Sequence, residues 1–425
     1  MISKHLLNLN IFFKLRTLLK NYPFNADKIK AVQLKKLKKL LIYSYNHFEF
    51  YKVRFDQAGF NPFNIKSVDE IPKIPVMDKT EYKKFIDLEV IKQPELYRKY
   101  YQDGTSGSTG EPLKIYRTWN ERAYMLAKYI RSLFLNGYRY RDITFCLPSP
   151  HRITKSDSFL QKLGLLRRKS IAYTEPVEKM VDGYIRIKAD LLYANKSQLI
   201  QMAQYIIDKG IRIRKPRLIN CSGEVLDIPS RNMIESVFGQ NRLFEVYGTV
   251  EFNNLGFQLC NENFYHFNHD TNLIELEDDR GNINSERGRC IVTDLNIYSF
   301  PLIRYKLNDW IEMENRDGLS VITKIIGRDD DWVSLKNGTK IPFHPFYEVM
   351  EKRPLIRQFR FVQESNDLIE AFIVLKDGVE KNGFKKELIR ELKSEISDSL
   401  EYKITFTDFI PADPGGKKRI LISKV

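Results

Sequence analysis

The chain has 425 residues, 43% hydrophobic and 29% charged, which suits a globular protein of two or three domains and excludes a disordered or fibrous one. Its formal charge of +15 is compatible with nucleic acid, an acidic lipid surface or a polyanionic small ligand such as ATP. No zinc-finger spacing, RNP-like strand or basic zipper accompanies that charge, and no run of about 18 apolar residues occurs, so neither nucleic-acid binding nor a transmembrane segment is expected.

In chain order, Met1 to Asn21 carries Lys4, Lys14, Arg16 and Lys20 among apolar residues. It reads as an amphipathic surface helix in preference to a membrane attachment or a signal peptide. Residues 27–60 read as helical, from the spacing of Val32, Leu34, Leu37, Leu40 and Leu41. Ile71-Pro72-Lys73-Ile74-Pro75-Val76 reads as extended, because two prolines oppose a helix. Residues 101–110 form a polar, glycine-rich loop before a short strand at 113–117. Thr118 is positioned to cap a helix over 120–135, which Gly137 ends.

Strands at 143–147, 217–221 and 243–247 then alternate with helices at 197–209 and 230–238, the pattern of an α/β architecture. From 264 to 305 the pattern becomes strand after strand with turn signals, a barrel-like β subregion. After Gly327, Asn337-Gly338 marks a hairpin between 333–335 and 340–341. Helices at 345–352 and 381–400 surround strands at 357–362 and 368–375. The expected organisation is a large N-terminal α/β domain with parallel sheets, 1–326, and a small mobile α+β domain, 327–425.

Five clusters carry chemistry. Thr105-Ser106-Gly107-Ser108-Thr109-Gly110-Glu111-Pro112 offers hydroxyls and close-approaching backbone N–H groups to a phosphate. It lacks the G-K-[ST] of a Walker loop, and by composition alone it reads equally as a Ser/Gly surface loop. Tyr247-Gly248-Thr249-Val250-Glu251 sits at a strand's end, where a nucleotide site is common and a carboxylate can hold Mg²⁺, although taken alone such a segment is more often a surface turn. Arg304-Tyr305-Lys306-Leu307-Asn308-Asp309 ends in an aspartate able to accept two ribose hydroxyls, although aspartates there are usually turn formers. Gly327-Arg328-Asp329-Asp330-Asp331 is a polar boundary suited to a hinge or to a plain acidic linker. Gly415-Gly416-Lys417-Lys418-Arg419 joins mobile backbone to a cation, or is a basic tail.

In this order and spacing, with Phe300-Pro301-Leu302-Ile303-Arg304-Tyr305, the clusters resemble the adenylate-forming acyl-CoA synthetase superfamily. The closest branch is that of phenylacetate–CoA ligases and CapK-like capsular polysaccharide biosynthesis proteins, matched from about Pro72 to Val425. The resemblance implies that Thr105, Ser106, Gly107, Ser108, Thr109 and Gly110 close over the ATP phosphates. It implies that Ser222, Gly223 and Glu224 lie along the adenine and that Tyr247 stacks near it beside Gly248. Thr249 would contact phosphate, Glu251 would hold Mg²⁺, Asp309 would bind the ribose, and Arg328 would join the nucleotide site. Asp330 would be the hinge and Lys417 the cation bridging carboxylate and α-phosphate. A cytoplasmic ligase is implied: a small carboxylic acid is activated with ATP, and the acyl group passes to coenzyme A or to an amine such as an amino sugar. A non-catalytic nucleotide-binding protein is the competing class.

Two departures from the family stand out. Relatives read Thr-Gly-Asp where this chain has Leu307-Asn308-Asp309. Some relatives complete a zinc site with C-x-C-G, where this chain has Asp317-Gly318-Leu319-Ser320-Val321. Cys260, His266 and Cys290 supply three ligands at most, so structural zinc is not expected. With its four cysteines scattered, the chain carries no disulfide framework and suits a reducing compartment. His151 and His269 are each read as a hydrogen-bonded loop histidine or an acid/base group, and His344 as a cap of the small domain's helix.

Overall fold

The computed structural model describes residues 7–104, 113–153, 159–224, 226–278, 280–283, 285–328, 332–376, 378–410 and 420–425. The loop at 105–112, the expected hinge Asp330 and Lys417 therefore lie outside the described residues. The chain forms two compact units, one of Met1–Tyr138 with Glu245–Ile325, the other of Arg139–Phe244 with Ile326–Val425.

The first unit opens with helices. Leu7–Lys20 buries Leu15 and Leu18 against Ala127 of a later helix. The helical pattern of 27–60 resolves into two helices, Ala26–His47 and Glu49–Gln57, broken at Phe48, whose extended backbone closes one and starts the other. The stretch read as extended at 71–76 begins instead as a 3-10 turn, Val68–Lys73, with Pro72 inside it. Ser67 and Glu70 form a capping box that outweighs the proline in so short a turn. Tyr101–Gly104, read as loop, pairs antiparallel with Lys114–Arg117. Trp119–Leu135 is the expected helix, with Thr118 accepting from the Glu121 N–H and the Glu121 carboxylate reaching back.

The β portion of this unit is antiparallel. Asn272–Glu277, Arg287–Asp294, Tyr305–Arg316, Leu319–Arg328, Tyr265–Phe267, Asn253–Phe257 and Leu243–Thr249 are neighbours in that order. One core joins the early helices to these strands, with Leu40, Tyr51, Phe85, Phe252, Phe300 and Ile311 fully buried in it.

In the second unit, Leu218–Ser222, Leu191–Ala194, Ile143–Cys146 and Arg167–Ser170 run parallel, with Tyr193 facing Cys146 on one side and Asn220 on the other. Helices Val177–Ile187, Lys196–Asp208 and Ile228–Phe238 cover them through Val181, Leu199, Ala203 and Ile234. The C-terminal residues build a separate four-stranded sheet in the order Glu401–Phe406, Leu368–Leu375, Ile356–Ser365 and Leu421–Ser423, with helices His344–Glu351 and Lys381–Glu395. The Asn337-Gly338 signal is a hairpin as expected: Trp332–Ser334 pairs with Lys340–Pro342, and Gly338 takes φ 83°. The α/β class, the parallel strands and the small α+β region are thus present.

Candidate active site

The strand Leu243–Thr249 ends in Tyr247-Gly248-Thr249, and the turn that follows leads straight into Asn253–Phe257. The register slips between Tyr247 and Gly248, and Asn253 takes φ 61° to close the reversal. Gly248 is required here. A Cβ on it would lie 1.6 Å from the Asn253 carbonyl oxygen, so backbone passes where a side chain would be.

This turn is fastened from beneath by the helix Trp119–Leu135 and the strand before it. Arg117, 1% exposed, donates to the carbonyls of Val250 (3.2 Å) and Glu251. Lys128, fully buried, donates to the Phe252 carbonyl at 3.0 Å and sits 3.5 Å from the Asp294 carboxylate. Burial lowers the Lys128 pKa, and Asp294 opposes that shift. One turn further on, Arg131 holds Asp270 through both carboxylate oxygens, at 2.8 and 3.0 Å. Burial works to raise the Asp270 pKa, but Arg131 outweighs it and keeps the carboxyl below its usual range. Glu121 accepts from the N–H groups of Tyr298 and Ser299, which ties the same helix to the turn before Phe300. Sequence reading missed all four residues. Glu121, Lys128 and Ser132 share a helical spacing with buried Met125, the one signal that these charges point inward.

Tyr247 reaches across the strands to Asp309. Its hydroxyl donates to Asp309 Oδ2 at 2.9 Å and lies 3.7 Å from the Cys290 sulfur. Burial, then the neighbouring Asp309 and Cys290, hold this phenol well above its usual range, so it stays a donor. Burial and Asp309 likewise push the Cys290 thiol up, which leaves it protonated and unreactive. Two residues 62 apart in sequence, singled out from separate motifs, thus meet in one hydrogen bond.

Glu251 is 8% exposed, and the Tyr305 hydroxyl hydrogen-bonds its carboxylate. A single carboxylate steadied by a neutral donor fits Mg²⁺, which is commonly held by one or two carboxylates together with substrate phosphates. Thr249 Oγ1 accepts from the Phe252 N–H at 3.3 Å, so this hydroxyl also helps shape the turn.

Arg304 explains why Phe300-Pro301-Leu302-Ile303-Arg304-Tyr305 reads as a motif. At φ 49°, it turns a buried guanidinium onto Glu275 at 2.9 and 3.0 Å and onto the carbonyls of Pro72 and Ile74. The Met77 N–H donates to the Arg304 carbonyl, and the Lys306 N–H returns to Met77, both at 2.9 Å. The segment around Pro72 is therefore stitched to the strand that carries Asp309.

Ser222, Gly223, Glu224 and Arg328 belong to the second unit. Ser222 bonds the Tyr193 hydroxyl at 3.2 Å, and Gly223 takes φ 85° at the strand's end. The Glu224 carboxylate accepts the Ser197 N–H at 2.7 Å and its hydroxyl, at the start of the helix Lys196–Asp208. The carboxylate thereby sits at the helix N-terminus, where the helix dipole favours negative charge. Arg328 is exposed at the end of its strand, one residue after Gly327.

The histidine and the two cysteines of the zinc reading each have their own neighbours. His266 Nε2 lies 2.6 Å from Glu262, Cys290 faces Tyr247, and the Cys260 N–H donates to Asn136. His269 lies between Phe24 and Phe267, with Nε2 2.8 Å from the Ser320 carbonyl. A carbonyl only accepts, so Nε2 carries the proton. Burial lowers this imidazole to about 4, which keeps it neutral.

This is the fold of the adenylate-forming CoA ligases. The structure of a 2-hydroxyisobutyryl-CoA ligase in the postadenylation state, in complex with 2-HIB-AMP, matches with a TM-score of 0.75 at 17% identity, over 94% of this chain and 90% of that one. Residues 334–424 match the family model of the CapK C-terminal domain. Protein CapK of Staphylococcus aureus is 26% identical over 84% of this chain and 81% of its own length. A phenylacetate-coenzyme A ligase of Pseudomonas putida is 22% identical over 88% of each chain. In sequence the chain is similar to CapK and to the phenylacetate–CoA ligases, and its fold is that of the adenylate-forming CoA ligases.

Proposed function

We propose that the protein activates a small carboxylic acid with ATP, forming an acyl-adenylate and releasing pyrophosphate, and then passes the acyl group to the thiol of coenzyme A. The observation that carries this reading is the Tyr247–Asp309 hydrogen bond at 2.9 Å. It joins the aromatic and the aspartate that the family resemblance assigns to adenine and ribose. Glu251 would hold Mg²⁺, and that ion would offset the charge of the phosphates. Thr105 to Gly110 would close over those phosphates through backbone N–H groups and hydroxyls. Lys417 would supply the cation beside the α-phosphate, where negative charge grows as the carboxylate oxygen attacks and pyrophosphate leaves. Asp330 would be the hinge on which residues 327–425 turn between the two half-reactions. The likeness to CapK supports a role in surface polysaccharide assembly, carried out in the cytoplasm.

The test is pyrophosphate release across a panel of carboxylic acids, each assayed alone, with coenzyme A and with amino-sugar acceptors. Release with at least one acid, lost in Lys417→Ala, is expected. Thioester formation identifies coenzyme A as the acceptor, and amide formation replaces it with an amine. Absence of pyrophosphate release with every acid overturns the adenylation reading.

A further inference from the structure

We propose that the helix Leu7–Lys20 docks the protein on an anionic lipid surface. The helix has two unlike faces. One buries Leu15 and Leu18 against Ala127, with Ile11 and Leu19 packed beside them. Lys14 is drawn to this side as well, its ammonium 5.3 Å from the centre of the Tyr124 ring.

The other face is exposed and has a definite order. Leu9, Phe12 and Phe13 are 55%, 47% and 56% exposed, and Arg16 and Lys20 are exposed further along. Positions 9, 12, 13, 16 and 20 fall on one stripe of a 3.6-residue helix. Two phenylalanines and a leucine in a row, followed by two cations, are costly to leave in water without a partner. The two rings sit edge to face with centroids 6.0 Å apart, so they present a single apolar wedge.

Charge selects the occupant. Residues 7–47 hold nine Lys/Arg against one Asp, a net +8 of the chain's +15 in about a tenth of its length. Lys28, Lys30, Lys35, Lys38 and Lys39 on the next helix are all exposed. An anionic bilayer answers both features at once: its surface potential attracts the cations, and its acyl boundary accepts the rings. A nucleic acid would answer only the charge. A second copy of the chain would answer only the rings, and would bring two strongly basic surfaces together. No described helix is long and apolar enough to cross a membrane, so the mode is lying on the surface.

The experiment uses the full chain in flotation with vesicles of phosphatidylcholine alone and with phosphatidylglycerol added. Binding to the anionic vesicles only is expected, weakening as salt rises. Phe12→Ser with Phe13→Ser should weaken partitioning by at least about tenfold, because both rings lose their insertion. The rings are exposed, so the thermal transition should stay in place. Arg16→Gln and Lys20→Gln should each cost about fivefold on anionic vesicles. Three results overturn the proposal: no binding to anionic vesicles at low salt, binding that the double Phe variant leaves unchanged, or a dimer in solution that the same variant dissociates. Heparin binding unaffected by the Phe changes, beside vesicle binding that is lost, separates diffuse charge from the wedge and supports it.

Discussion

Replacing Tyr247 by Phe tests the site most directly. The substitution keeps the buried ring and deletes one oxygen, which donates to Asp309 at 2.9 Å and sits 3.7 Å from the Cys290 sulfur. A hydrogen bond to a charged acceptor contributes about 1.5–3 kcal/mol. Asp309 is only half-buried, so water can replace part of what the phenol gave, and the lower end applies. About 1.4 kcal/mol is a factor of ten, so the affinity for ATP should fall about tenfold. The loss should appear in KM for ATP, with kcat for pyrophosphate release little changed, because the bond orients a binding group and touches no reacting atom. Asp309→Ala should cost more. The double variant should cost no more than Asp309→Ala, since Tyr247 then has no carboxylate to hold. An unchanged KM in Tyr247→Phe, or fully additive losses in the double variant, refutes the assignment of this pair to the nucleotide.

Three further outcomes follow from the residues around that pair. Lys128→Met removes a fully buried cation from Asp294 and from the Phe252 carbonyl, and should cost about 3–5 kcal/mol in chemical denaturation; adding Asp294→Leu should restore part of this, and a loss under about 1 kcal/mol argues that the pair is solvated. Gly248→Ala should lower the melting temperature and adenylation together, because its Cβ meets the Asn253 backbone at 1.6 Å and the turn carrying Glu251 must move; wild-type behaviour would mean that this turn yields freely. His269 has a folded pKa of about 4 against about 6.5 when unfolded, so the unfolded chain binds more protons in that window and stability falls as pH drops through it. About 3 kcal/mol of stability is present above pH 6.5 and lost as pH falls to about 4; His269→Gln should flatten the denaturation midpoint over that range, and an unchanged slope excludes this histidine as the cause.

Local chemistry made much of this protein legible in its sequence. Thr118 announced the helix start, Asn337-Gly338 announced its hairpin, and the strand pattern of 368–375 has the bounds of the strand itself. The motif order from Thr105 to Lys417 pointed to the adenylate-forming superfamily before any contact was known. The misreadings are those where local signals competed. Pro72 argued for extended chain, yet the Ser67–Glu70 capping box bent it into a 3-10 turn. Tyr101–Gly104 is too polar to read as a strand until Lys114–Arg117 pairs with it.

What only the tertiary structure decided is which charges are inside. Arg117, Lys128, Arg131 and Arg304 look like any of the chain's 69 Lys and Arg residues. Their partners are backbone carbonyls and carboxylates more than a hundred residues away in most cases, such as Phe252 for Lys128 and Asp270 for Arg131. Nothing in the sequence near a cation records a distant carbonyl that folding will bring to it. The Tyr247–Asp309 bond is of the same kind: composition supplied both groups, and only the antiparallel strands between them supplied the 2.9 Å.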